Sequence, residues 1–159
     1  MAITIEQAHT IVIKHVDLWN KDPANIPLWV VLASPGDQIQ IPEVTFGRPD
    51  LPRAGMHQLI HANLIVLRRE MVPESLLATF FHEYGHAIYK KLHVADWNEI
   101  DSEVAAIRYS LQALVDEGLD FLAYREAEAV KEMSIQEPYK SAVALLVSVE
   151  IWKKYARLP

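Results

Sequence analysis

The apolar residues of this chain follow two different periods, and the change between them near residue 70 is the strongest constraint on its fold. Before that point, short stretches are rich in β-branched residues or alternate polar with apolar residues, which is typical of strands. Beyond Pro73, apolar residues recur every three to four positions, which is helical spacing. A strand-rich first half and a helical second half predict the α+β class.

The strand-rich part, 1–70, is predicted to begin with a helix over 5–19. The three predicted strands are 26–33, 38–46 and 57–67. Pro42 lies within the second of them and suits an edge strand or a bulge. The residues 46–55, which contain Pro49 and Pro52, are predicted to form a loop.

The helical part, 73–157, is predicted to hold four helices. Pro73 suits the first position of a helix that we expect to end at residue 92. Asp96 and Glu99 have capping-box spacing and predict the start of the next helix, which should stop at Gly118. The last two predicted helices are 119–134 and 138–157, and we expect the whole chain, 1–159, to form a single domain.

Charge and hydropathy exclude some partners. The net charge is −6, and basic residues cluster no further than pairs such as Arg68-Arg69, so we expect no nucleic-acid partner. No apolar run approaches the roughly 20 residues needed to cross a bilayer, so we expect no membrane span. The first residues lack a basic segment followed by an apolar stretch, which favours a cytoplasmic location.

The motif that carries chemistry is His82-Glu83-Tyr84-Gly85-His86, of the form H-E-x-x-H, inside the predicted helix 73–92. Residues four apart lie on one face of a helix, so the two imidazoles can hold one zinc ion. The chain has no cysteine, so any metal must be held by His, Asp or Glu. Glu83 projects beside the histidines, where it can act as a general base.

The apolar residues around this motif favour a metal site over an exposed turn with two solvated histidines. The helix is apolar over most of its circumference, and burying His82, Glu83 and His86 costs free energy unless something satisfies them. A metal ion does so. We therefore predict zinc as the cofactor.

Helical rise selects Glu103 as the third ligand. His86 lies six residues before the predicted end of its helix, about 9 Å at 1.5 Å per residue, and Glu103 lies about as far into the next one. If the two helices pack antiparallel, Glu103 comes level with His86, whereas Glu99 sits about 6 Å nearer the turn. Glu99 remains the alternative ligand, and otherwise a helix cap.

On these motifs, residues 56–115 resemble the gluzincin branch of the zincin-like metallopeptidases, most closely the compact ImmA/IrrE-type proteins, whose second metal helix also reads E-x-x-A. The resemblance implies a small mixed β-sheet against an active-site helix, a second metal-ligand helix and further C-terminal helices. It implies zinc ligands at His82, His86 and Glu103 and a general base at Glu83. One departure is Ile107, where the family usually has an acid beside a zinc histidine. Another is the run Asn98–Glu103, which is similar to the N-E-x-x-S-D run of larger gluzincins and would make Glu99 the ligand.

The implied activity is hydrolysis of a peptide bond in an intracellular protein or peptide, with Glu83 moving the proton from the attacking water to the leaving amine. The oxyanion needs a hydrogen-bond donor, for which Tyr109 is a candidate catalytic residue. Other candidates are His57, His61 and His93, each of which also suits an ordinary structural role; His9 and His15 are expected to be ordinary helix residues.

Other interpretations stay open. The same fold can act as a zinc-binding regulatory module that contacts a partner without proteolysis, or can hydrolyse a small amide. An extended substrate can add to an edge strand, but the sequence does not identify the edge. The apolar stripe in the last helix (Val143, Leu146, Val147 and Ile151) suits packing within the domain, with a homodimer face as the alternative.

Overall fold

The computed structural model describes residues 2–34, 39–41, 44–46, 55–59 and 63–158, and their side chains in 2–34 and 63–158. The elements in chain order are α1 (Ile5–Asn20), β1 (Leu28–Ala33), β2 (Ile39–Ile41), β3 (Val44–Phe46), β4 (Gly55–Leu59), β5 (Asn63–Arg68), α2 (Pro73–Leu92), α3 (Glu99–Asp116), α4 (Asp120–Met133), α5 (Tyr139–Leu146) and α6 (Glu150–Tyr155). This mixture of helices and strands agrees with the predicted α+β class.

The larger sheet has three strands in the order β1-β5-β4. β1 runs parallel to β5, with Leu28 opposite Asn63, and β4 runs antiparallel to β5, with His57 opposite Ile65. The sheet is therefore small and mixed, as predicted. The central strand β5 is buried from Asn63 to Leu67, and the continuous apolar run 64–67 within it is typical of a strand covered on both faces.

Two predicted strands are each two strands in the structure, so both of these predictions were wrong. The stretch 38–46 forms the antiparallel pair β2 and β3, with Ile41 opposite Val44. The stretch 57–67 forms β4 and β5, with Leu59 opposite Asn63. The predicted loop over 46–55 falls almost wholly on 47–54, outside the described residues.

Polar side chains fix the junction between α1 and β1. The side-chain carbonyl of Asn20 accepts from the backbone N–H of Leu28 at 2.8 Å, and its amide donates to the Leu28 carbonyl at 3.2 Å. The indole N–H of Trp19 donates to the carbonyl of Ile26 at 2.7 Å. These bonds satisfy backbone groups just before and at the start of β1 and so fix where the strand begins.

The two ends of α3 differ in how well the sequence predicted them. The N-cap is Asn98, whose side chain accepts from the N–H of Asp101 at 3.0 Å, so the predicted capping box from Asp96 was wrong. The predicted stop at Gly118 is confirmed, since its φ is +75°. Hydrogen bonds from Gly118 N–H to Val115 and from Leu119 N–H to Leu114 form a Schellman motif there.

The predicted helix 138–157 is also two helices, α5 and α6, separated by residues 147–149. Trp152 and Tyr155 in α6 are both buried, and the Tyr155 hydroxyl donates to Asp120 at the start of α4 at 2.6 Å. Both aromatic rings of α6 are therefore part of the core. The predicted apolar stripe divides accordingly, since Leu146 is fully buried whereas Val147 is 55% exposed.

The chain divides into two compact units, 1–83 and 84–159, and the division falls inside the continuous helix α2. The prediction of a single domain stays a prediction. Among the described residues, no helix combines the length and the apolar character that crossing a membrane requires.

Candidate metal centre

Helix α2 presents the two histidines of the motif one turn apart. Pro73 occupies its first position, which suits proline. Glu74 in the first turn, and Lys90 and Lys91 in the last turn, complement the helix dipole. The helix continues through the whole motif, as predicted. His82 and His86 are therefore on the same face, about 6 Å apart along the helix axis.

A glycine in the motif brings α3 close to α2. A Cβ atom added to Gly85 would lie 2.8 Å from the Cα of Ala106 and 3.1 Å from the Cβ of Tyr109. Real Cβ atoms do not approach a backbone that closely, so only glycine fits at this crossing of the helices. Gly85 is the residue just before His86, and Ala106 is one turn beyond Glu103, so this approach lies next to the candidate ligands.

The structure brings His82, His86 and Glu103 together, with one potential ligand atom from each within 4.8 Å of the others. The Nε2 of His86 is 3.3 Å from Oε1 of Glu103, and these two side chains are 18% and 12% exposed. Two ligand atoms about 2.0–2.1 Å from a tetrahedral ion are about 3.3–3.4 Å apart. The His86–Glu103 distance therefore fits a shared zinc ion, and this His-His-Glu group could hold a metal ion.

Glu99, the alternative third ligand, is not part of this group. It is an exposed residue in the first turn of α3, one full helical turn before Glu103. Among the described residues, the structure therefore brings Glu103, and not Glu99, to the two histidines. This is the arrangement that the helical rise predicted.

The structure also shows a partner of His86 that the sequence did not reveal. The Nδ1 of His86 is 2.7 Å from the Oγ of Ser102, which is 2% exposed. Ile107, where the resembled family usually has an acid, is a fully buried apolar residue. The only indication of this contact in the sequence was that Ser102, a small polar residue, directly precedes the candidate ligand Glu103 in the predicted second helix.

Glu83, the predicted general base, follows His82 on α2 and is partly exposed. Successive helical residues are about 100° apart, so Glu83 lies beside the face that carries the histidines. Its catalytic role stays a prediction.

Tyr109, the first candidate for the oxyanion donor, packs its ring on Tyr84 with the ring centroids 5.4 Å apart. Burial raises the pKa of the Tyr109 hydroxyl, and Tyr84, Asp116 and Glu117 raise it further. The two acids are at the C-terminal end of α3, whereas Glu103 is near its N-terminal end. The donor role of Tyr109 stays a prediction.

The other histidines are placed elsewhere or not described. His93 stacks on Tyr89 with ring centroids 4.3 Å apart, and its Nδ1 lies 3.1 Å from a carboxylate oxygen of Asp96. It therefore has a structural role in the turn between α2 and α3. His15 contacts the ring of Phe81 edge-on at 4.9 Å, which is a packing contact. The side chain of His57 and the whole of His61 lie outside the described residues.

In comparisons with known proteins, no family model, no curated protein and no solved structure matches the chain.

Proposed function

We propose that this protein is a zinc-dependent peptidase with a zincin-like fold of the gluzincin kind, which cleaves a peptide bond in an intracellular protein or peptide. The observation that carries the proposal is the group formed by His82, His86 and Glu103 on α2 and α3, with Glu83 in the helix beside it. Two imidazoles and one carboxylate are a donor set of catalytic zinc sites, which leave one position for water or substrate.

A bound zinc ion supplies Lewis-acid chemistry, because it polarises the scissile carbonyl and makes water a stronger acid. His82, His86 and Glu103 would hold the ion, and with one carboxylate among these ligands the site would keep a net positive charge. A structural zinc site usually has four protein ligands, whereas among the residues that the structure describes this group offers three. That difference favours a catalytic role.

Glu83 is the residue to which we assign proton transfer. Its carboxylate takes a proton from the attacking water and gives it to the nitrogen of the leaving amine. A purely structural metal site has no use for a carboxylate at this position. Glu83 therefore distinguishes the peptidase from a zinc-binding module of the same fold that regulates a partner by contact.

The sheet offers a place for an extended substrate. In the order β1-β5-β4, β5 is the central strand and β4 is at one edge. An extended peptide can add to such an edge through backbone hydrogen bonds, which confer little sequence selectivity.

The decisive experiment compares Glu83→Gln with His82→Ala for zinc content and for hydrolysis of a fluorescence-quenched mixture of random peptides. We expect Glu83→Gln to keep stoichiometric zinc and to lose at least 100-fold in activity, since general acid–base catalysis contributes about 10²–10⁴-fold. We expect His82→Ala to lose both zinc and activity.

The matched control is His93→Ala, which removes an imidazole from the same helix–turn region but leaves the proposed ligands in place. It should keep both zinc and activity. Full activity in Glu83→Gln would contradict the peptidase mechanism, and zinc binding without hydrolysis in the wild type would favour the regulatory module.

A further inference from the structure

The contact between His86 and Ser102 is short and enclosed. Nδ1 and Oγ are 2.7 Å apart, which is a good hydrogen-bond distance, and Ser102 is almost completely buried. Ser102 directly precedes Glu103 in α3, so one turn of that helix contacts both ring nitrogens of His86.

This arrangement determines which nitrogen can bind a metal. Nε2 faces Glu103 at 3.3 Å, and Nδ1 faces Ser102. When Nε2 is a ligand, the ring proton of a neutral imidazole is on Nδ1, and the serine oxygen can accept it. The hydroxyl can therefore accept from Nδ1–H in that state and hold the ring orientation that ligation through Nε2 requires.

We propose that Ser102 is the positioning residue of His86. The inference rests on the proposed zinc site and concerns how this chain maintains it. A serine is neutral, so it orients the ring without adding a negative charge next to the ligands. A bound metal ion would then keep more of its positive charge than beside a carboxylate.

The chain contains a matched residue with which to test this role. Ser110 is also on α3 and is also fully buried, but no hydrogen-bond partner for its Oγ is found among the described residues. Replacing either serine by alanine removes the same atom from the interior of the same helix. Only the change at Ser102 removes a contact to His86.

The experiment measures the zinc affinity of the purified protein by competition with a chelator of known affinity, for the wild type, Ser102→Ala and Ser110→Ala. We expect Ser102→Ala to bind zinc about 10- to 100-fold more weakly, the usual effect of losing a partner of a metal-bound histidine. Ser110→Ala should bind within about twofold of the wild type.

A second readout separates positioning from packing. In ¹⁵N-histidine spectra of the zinc-loaded wild type, the Nδ1–H of His86 should give a slowly exchanging ring signal. Ser102→Ala should lose this signal, and Ser110→Ala should keep it. Affinities of the two variants that are equal to each other, or an unchanged ring signal in Ser102→Ala, would overturn the positioning role.

The outcomes also separate this inference from the proposed function. Zinc binding by the wild type with no effect of Ser102→Ala would overturn the role of Ser102 alone. A wild type that binds no zinc would overturn both. Hydrolysis of peptides does not enter the measurement, so a zinc-binding module without peptidase activity would still test Ser102.

Discussion

Two residues of one helical turn act on the ring of His86. Ser102 contacts Nδ1 at 2.7 Å and Glu103 lies 3.3 Å from Nε2. An imidazole contacted at both nitrogens has little freedom to rotate, so α3 fixes the orientation of a ring that belongs to α2. The orientation of His86, which the H-E-x-x-H motif identified, therefore depends on Ser102, which the sequence did not identify.

At the scale of single residues, the raised pKa of Tyr109 predicts how stability depends on pH. Burial raises its pKa above the ordinary value, so the folded state favours the neutral phenol, whereas in the unfolded chain it ionises near pH 10. The contribution of Tyr109 to the free energy of unfolding should therefore be complete below about pH 10 and should decrease as the pH rises toward the folded-state pKa. Tyr109→Phe should show a smaller loss.

Urea unfolding of the wild type and Tyr109→Phe at about pH 9 and about pH 11 measures this difference. Part of the alkaline loss should persist in the variant, because burial also raises the pKa of Tyr84. Equal losses in the two proteins would contradict the assignment. Activity of the variant at neutral pH tests the donor role, which predicts a decrease of about 10²–10³-fold.

At the scale of elements, the crossing of α2 and α3 determines the metal group. The closest approach is at Gly85, next to His86, and it faces Ala106, one turn beyond Glu103. Small residues at a crossing allow two helix backbones to approach more closely than the usual 8–10 Å between helix axes. A larger separation at Gly85 would move Glu103 away from His86.

Gly85→Ala should therefore weaken zinc binding. The added Cβ would meet the backbone of Ala106 at 2.8 Å, which is too close, so the helices must separate. We expect a loss of stability of about 1–3 kcal/mol from overpacking, reduced by the better helix propensity of alanine. Zinc affinity and urea unfolding measure the two effects.

Gly118→Ala is the control for this variant. Gly118 has a positive φ of +75°, but a Cβ there meets nothing within 4 Å. It should cost about 1 kcal/mol through backbone strain and leave zinc affinity unchanged. A Gly85→Ala protein with wild-type zinc affinity would show that the close approach does not set the ligand geometry.

At the scale of the whole molecule, the proposed zinc ion couples binding to stability. The ligands are 21 residues apart in the chain, from His82 to Glu103, and come together only when α2 and α3 pack. An ion that binds the folded state alone stabilises it by about 2.7 kcal/mol at 100 times its Kd. Folding and zinc binding should therefore respond to the same changes.

Chelation should lower the midpoint of thermal unfolding of the wild type by about 5–10 °C relative to the protein in excess zinc. His82→Ala should unfold at the same temperature with zinc or chelator, because its site lacks a ligand. Differential scanning fluorimetry measures both. A zinc-dependent shift of wild-type size in His82→Ala would contradict His82 as a ligand.

The sequence by itself determined the features that depend on neighbours along the chain. Four-residue spacing put His82 and His86 on one helical face, and a rise of 1.5 Å per residue brought Glu103 level with His86. Gly118 marked the end of α3, because glycine reaches a positive φ at no steric cost. The shared face and the helix end remain the same wherever a helix packs, whereas Glu103 reaches the level of His86 only when α2 and α3 pack antiparallel.

Only the tertiary structure decided the features that depend on what a segment packs against. The pairing of β5 with β1, and the burial of Trp152 and Tyr155 in a separate helix α6, depend on contacts with residues distant in the chain. The same applies to Ser102, whose role depends on which side of α3 faces His86. Helical periodicity determines which residues share a face of a helix, whereas the packing of the helices determines which atoms that face contacts.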